Sequence, residues 1–283
     1  MTIRPTPSLS LVITLIILLI PPTAWGEIEL TAGIEHRQGS YGGERTIRTS
    51  TVPFSLAWLG ELADFRIEGS FIHQDDPSVT TTLYGESGLP LVQAARFGGP
   101  GGWSPTPSSP DTTPPQPSSP SGVSGPGDLI LRGGYIFAGT DDLSTHLKGS
   151  LFVKLPTAPA DKGLGTGKTD LGGALELSAW FSSIHLIAEI GYTIPGKVDG
   201  YDLKNSLSLL AGGGIRVTDR IEPMVSIRWE SPPSGYSGDL VELREKVTWD
   251  WDDASFIDIF LLQGVSRDAP SAAGGVTIGY RFR

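Results

Sequence analysis

The sequence predicts an all-β chain: a transmembrane antiparallel β-barrel of about 12 strands behind a cleaved N-terminal signal peptide. Three observations predict it. Apolar and polar residues alternate with a period of two in segment after segment. The links between segments alternate between tight turns and longer loops, the parity of periplasmic turns and extracellular loops. Aromatic residues collect at segment ends, where amphipathic rings sit at headgroup level. A soluble β-sandwich also alternates, but it has no reason to keep that parity, and core packing would place its aromatics near strand centres.

In chain order, Leu9 to Ile20 is an apolar run behind Arg4, broken by Pro21 and Pro22, with Ala24 and Gly26 at the −3 and −1 positions of a cleavage site. At about 12 residues the run falls short of the roughly 20 that span a bilayer as a helix. Residues 1–26 are therefore expected to be a signal peptide, cleaved near Gly26, and 27–283 the barrel. Strands are expected near 27–36, 44–58, 62–74, 127–138, 144–155, 171–181, 184–194, 205–217, 221–230, 239–249, 254–263 and 272–283. The 184–194 segment shows the pattern: Ile184, Leu186, Ala188, Ile190, Tyr192 and Ile194 alternate with His185, Glu189 and Thr193. Tight turns fall at Gly60, Gly139 to Asp142, Ser182-Ser183, Thr218 to Arg220 and Asp250 to Asp253. Longer links fall at 37–43, 75–126, 156–170, 195–204, 231–238 and 264–271. An even strand count returns both ends to the periplasm. Trp58, Phe137, Phe181, Trp249, Tyr280 and Phe282 then form the inner aromatic belt, and Tyr192 and Trp229 belong to the outer one. The last strand ends on an aromatic, the kind of terminal signal that outer-membrane assembly machinery commonly reads, although Arg283 follows it and Thr277 stands where such signals usually carry glycine.

Composition excludes other classes. The chain of 283 residues has 21 Lys and Arg against 31 Asp and Glu, a formal charge of −10 at pH 7. So acidic a chain is no partner for nucleic acid. Cysteine is absent, which removes disulfides, thiolate metal sites, cysteine nucleophiles and a lipoprotein anchor. Four histidines lack the spacing of a metal site, so neither metal nor cofactor is expected. Lys162 to Thr169 invites a phosphate-loop reading, but Lys162 stands where that loop needs glycine and a strand follows instead of a helix. There is no GxSxG, and the chain is not expected to be an enzyme.

Three regions carry the candidate function. Arg66, Glu68, Arg132, Lys148, Glu176, Glu189, Arg216 and Arg228 fall on the polar faces of their strands and are expected to line the pore, facing water or pairing across the lumen. The second region is the loop at 156–170 with its strand ends: Leu155, Pro156, Thr157, Asp161, Lys162, Gly163, Gly165, Gly167, Lys168 and Asp170. Its glycines permit positive φ, and it is expected to fold over the outer mouth, with Asp161, Lys162 and Lys168 setting the local charge. The third is the Pro/Ser/Gly-rich stretch 98–127, expected to be a disordered loop. The preceding Leu89 to Phe97 could enter the lumen as a short helix or plug.

Gly127-Asp128-Leu129, then Lys154-Leu155-Pro156-Thr157, then Asp161 to Gly167, then Thr169-Asp170, occur in that order. This series resembles the outer-membrane, transporter-like family of the meta-pathway of phenol degradation, most sharply over 127–181. The resemblance implies a monomeric barrel in the outer membrane of a Gram-negative bacterium that passes or binds small aromatic or hydrophobic solutes. Its other partners would be outer-membrane lipid and the assembly machinery. Two alternatives stay open: a lipid-modifying enzyme using His185 beside Ser182 and Ser183, and a plugged structural or adhesive barrel.

Overall fold

Period-two segments have one purpose in a sheet, to send alternate side chains to opposite faces. In the computed structural model these faces close on themselves. It describes residues 26–41, 46–75, 83–84, 90–92, 122–198, 202–235 and 237–282. The strands are β1 (Glu27–Gly39), β2 (Ile47–Leu59), β3 (Ala63–Gln74), β4 (Leu83–Tyr84), β5 (Pro90–Val92), β6 (Val123–Pro126), β7 (Leu129–Gly139) and β8 (Thr145–Leu155). They continue as β9 (Asp170–Phe181), β10 (Ile184–Ile194), β11 (Ser206–Ile215), β12 (Ile221–Glu230), β13 (Leu240–Asp250), β14 (Ser255–Gly264) and β15 (Ala272–Phe282). Every pairing is antiparallel, and β15 returns to β1, Phe282 opposite Ile28 and Ala272 opposite Gln38. Both β6 and β7 pair with β3 and form a single stave interrupted at Gly127-Asp128. The wall is therefore a closed barrel of 12 staves. Among the described residues, β4 and β5 pair only with each other.

The burial pattern is the reverse of a water-soluble protein's. Leu151 is 74% exposed and Ile34 68%, while Lys154 and Arg37 are 2% exposed and Glu230 1%. Exposed apolar side chains run around the whole wall, far beyond the few hundred Å² that a soluble monomer shows. Polar and ionic side chains line much of the inner face. Removing each Leu, Ile or Phe from water gains about 1.5–3 kcal/mol, so this exterior is stable only in hydrocarbon. The wall can stand in hydrocarbon because each ladder bond is made within the closed sheet.

Tight turns and long links keep the expected parity. The Ser182-Ser183 turn joins β9 to β10 with Phe181 opposite Ile184, and Ser182 takes a left-handed φ of 57°. At the opposite end the Tyr192 hydroxyl accepts from Asn205 Nδ2 at 2.8 Å, and Trp229 Nε1 donates to Asp239 at 3.2 Å. Rings with an apolar body and a polar tip belong at such an interface. On the turn side, Trp249 stacks with Trp251 and Tyr280 meets Phe282 edge-on.

The expected signal segment lies outside the described residues apart from Gly26, as do Arg283 and most of the Pro-rich stretch. Two findings correct the loop expectations. Val123–Pro126 is not loop but strand β6, because β3 runs on to Gln74 and offers its edge there. Pro90–Val92 is extended and paired with Leu83–Tyr84, which corrects the short-helix form of the plug reading at those residues. The rest of Leu89 to Phe97 lies outside the described residues.

Candidate functional site

The predicted inner-face charges meet across neighbouring staves. Register places Lys148 opposite Glu176, Glu176 opposite Glu189, Glu189 opposite Leu210, Leu210 opposite Arg228 and Arg228 opposite Glu242. Arg228, Glu176, Arg132 and Lys148 all act electrostatically on Glu189. Five of the eight predicted residues thus converge on one level of the lumen. Arg132 Nη2 lies 3.3 Å from Glu68 Oε2, both side chains 5% exposed, and its guanidinium stands over the Phe152 ring. Lys148 pairs with Asp64, and Arg228 Nη2 lies 3.2 Å from Glu230 Oε2.

Two predicted residues sit elsewhere. Arg66 belongs to the closing seam: Glu29 of β1 takes Arg66 at 3.3 Å on one oxygen and Arg281 of β15 at 3.0 Å on the other. Arg216 lies one residue past the end of β11, its side chain half exposed at the turn side of the barrel. The alternation also understated the apolar part of the lumen. Phe256, Phe260 and Leu262 of β14 are buried at alternate positions, and Arg244 and Arg281 stand 4.2 and 4.5 Å from the Phe260 and Phe256 ring centroids.

The loop after β8 turns into the barrel. Ala158 and Leu164, 6% and 2% exposed, form one apolar cluster with Ile72, Ile130, Phe152 and Ala174, which face inward from β3, β7, β8 and β9. A buried ionic knot fixes the loop's base. Lys154 Nζ lies 2.7 Å from Asp170 Oδ2 and 3.2 Å from Asp128 Oδ2, and donates to Thr166 Oγ1 at 3.1 Å. Asp128 also accepts the Ala158 N–H at 2.9 Å, and Asp170 accepts the Gly196 N–H at 2.9 Å. The Thr157 hydroxyl accepts from the Leu129 N–H and donates to the Gly127 carbonyl, bridging the interrupted stave. Leu155 and Asp170 are the adjoining strand ends, and Pro156 is exposed.

The expected charges of this loop are corrected. Asp161, Lys162 and Lys168 point to solvent, Asp161 and Lys162 within a single 3-10 turn at Ala160–Lys162. The charge that holds the loop is instead buried Lys154 with Asp128 and Asp170. Gly163 and Gly167 do take positive φ, 70° and 65°. Gly165 serves another purpose: a Cβ there would lie 2.7 Å from Ala158 Cβ and 3.0 Å from Asp128 Oδ2.

At the turn side, His185 does not meet Ser182 or Ser183. Its Nε2 lies 3.0 Å from Ser178 Oγ and its Nδ1 3.0 Å from Glu222 Oε1, all three on inward positions rather than lipid-facing ones. A depression of about 750 Å³ lined by Gly149, Leu151, Gly173, Leu175, Ile190 and Tyr192 lies on the outward wall, where its apolar lining meets lipid.

A family profile described as "Putative MetA-pathway of phenol degradation" matches residues 46–282. The chain belongs to that family. The matched span takes in 11 of the 12 staves and both the knot and the loop it holds. Among solved structures, an outer membrane channel from Pseudomonas putida F1 superposes with a TM-score of 0.63 at 9% identity, covering 93% of this chain and 97% of that one. The KdgM porin gives 0.51 at 5% identity, covering 89% and 99%. At such identities the likeness is one of fold. No curated protein shows a significant match.

Proposed function

We propose that the chain is a passive channel of a Gram-negative outer membrane, admitting small solutes of aromatic or hydrophobic character. The observation that carries this reading is the inverted wall, apolar outside and lined within by Glu68, Arg132, Lys148, Glu176, Glu189 and Arg228. A lumen bounded by 12 staves lies between eight-stranded barrels filled by side chains and porins of 16 strands. It is narrow enough for its lining to discriminate. Permeation itself is uncatalysed: charges on the wall replace part of a solute's hydration, and the loop at 156–169 narrows the outer mouth. The family's name supports small aromatic solutes, and the two superposed proteins, a channel and a porin, support conduction. The barrel works as a monomer, inserted by the assembly machinery and solvated by lipid.

Planar-bilayer recording of the refolded chain tests this. Discrete conductance steps, blocked or slowed by phenol-sized solutes, are expected. A barrel that migrates as folded on unheated gels yet gives no steps would refute the channel and favour a closed structural barrel.

A further inference from the structure

The turn-side mouth holds a constellation that permeation does not require. Ser178 of β9, His185 of β10 and Glu222 of β12 form one hydrogen-bonded line, with 3.0 Å at each of its two links. One tautomer satisfies both. Nδ1–H donates to the Glu222 carboxylate, which leaves Nε2 to accept the proton of the Ser178 hydroxyl. That is the geometry and proton order of a serine–histidine–carboxylate relay. The imidazole is also clamped: the Trp180 ring stacks on it at 4.3 Å between centroids and 8° between planes. Arg216 stands 4.2 Å over the same indole, with Nη2 4.0 Å from Glu222 Oε2. A cation thus stands beside the relay.

Local sequence builds this arrangement. The two-residue turn fixes Trp180 opposite His185 and Ser178 opposite Ile187. Ser178 and His185 are therefore diagonal neighbours on the inward face, the separation that side chains can bridge across a ladder.

We propose that Ser178 is a nucleophile that cleaves small carboxylic esters at the periplasmic mouth, with His185 as its general base and Glu222 as the positioning residue. Ser178 Oγ bonds the carbonyl carbon while its proton passes to His185 Nε2. The ester C–O bond breaks, and the leaving alcohol takes that proton. Water then adds to the acyl-serine, giving one proton to His185. The Oγ–carbon bond breaks, the proton returns to Oγ, and the free acid departs. Water is the only co-reactant. The relay faces the lumen, which makes small esters rather than bilayer lipids the substrate class.

The test uses the full folded chain in detergent, a fluorophosphonate probe with peptide mapping, and 4-nitrophenyl acetate as substrate. The expected result is a covalent adduct on Ser178, none on Ser182 or Ser183, and no adduct on Ser178→Ala. His185→Gln should slow labelling on the order of 100-fold or more. Glu222→Gln should lower kcat with KM little changed, and Glu222→Asp should restore part of kcat, a split that a purely structural acid would not give. A folded parent that takes no label at Ser178, or that hydrolyses the ester no faster than Ser178→Ala, overturns the proposal. Labelling needs only a folded barrel, so it is decided independently of conductance; if a variant does not fold, the parent's adduct map still decides.

Discussion

Replacing Lys154 with methionine removes the cation on which the inward loop depends while keeping the stem's bulk. The side chains of Lys154, Asp128 and Asp170 are 2%, 0% and 4% exposed, so solvent screens this knot little. Leaving a buried charge without its partner costs about 3–5 kcal/mol, and here two carboxylates are left facing each other. The opposing term is the loop's apolar anchor. Leu164, 2% exposed, contributes about 1.5–3 kcal/mol when docked. The penalty exceeds the anchor, so the loop should leave the lumen, while the ladders, which do not depend on it, keep the wall closed. Single-channel recording should show larger steps, and limited proteolysis should cut within 156–169 in the variant but not in the parent. A variant that is folded on unheated gels, with unchanged conductance and a protected loop, would refute the argument that the knot holds a constriction.

Other outcomes follow from the same geometry. Gly165→Ala forces a Cβ against Ala158 and the Asp128 carboxylate, an overpacking of about 1–3 kcal/mol; Gly163→Ala only strains a φ of 70°, at roughly 1–2 kcal/mol. Open-channel noise should rise more in the first. Asp142 accepts from Thr140 Oγ1 and the Ser144 N–H, which hold its pKa down at about 2, and the Ala254 and Ser255 N–H groups lower that of Asp252. A lowered pKa means stabilisation present above the unfolded value and lost as the pH falls through the folded one. The 140–144 turn should therefore resist pepsin near pH 4 and yield near pH 2, as limited proteolysis would show, and Asp142→Asn should abolish the difference between the two. Glu189→Gln should shift the reversal potential in a salt gradient toward anion selectivity and Arg228→Met toward cation selectivity. Equal potentials in the two variants would show that this level of the lumen does not filter ions.

Strand count, turn parity and the inward face were legible because each depends on residues close in sequence. Alternation alone assigned Lys148, Glu176, Glu189 and Arg228 to the lumen, and the Pro-flanked glycines marked an ordered loop. What joined the charges was not legible. Asp128, Lys154 and Asp170 lie on three successive staves, and their meeting depends on stagger between strands, which alternation does not encode. Asp161, Lys162 and Lys168 are charged and lie near the glycines, yet all three face solvent rather than the buried base of the loop. Ser178 is a different kind of miss. A two-residue turn fixes β10 against β9, so the diagonal relation of Ser178 to His185 can be counted out from Ser182-Ser183, whereas adjacency in sequence singles out only those two turn serines. Val123–Pro126 looked like the tail of a low-complexity run and became wall because a partner edge was waiting.

Glu29 has a consequence for how the barrel comes together. Most ladders of the wall join neighbours along the chain, but the bond from Arg281 to Glu29 joins residues 252 positions apart. Contacts that distant bear the largest loop-closure entropy and form last. Until β15 arrives, β1 and β15 are open edges, each a template for another chain. Glu29, already able to hold Arg66 from β3, waits as a receptor for Arg281, so the final zippering has a charged landing point before its backbone bonds form. A chain lacking that carboxylate would linger with both edges bare, and the difference would be visible in refolding rate and in aggregation during assembly sooner than in the finished barrel.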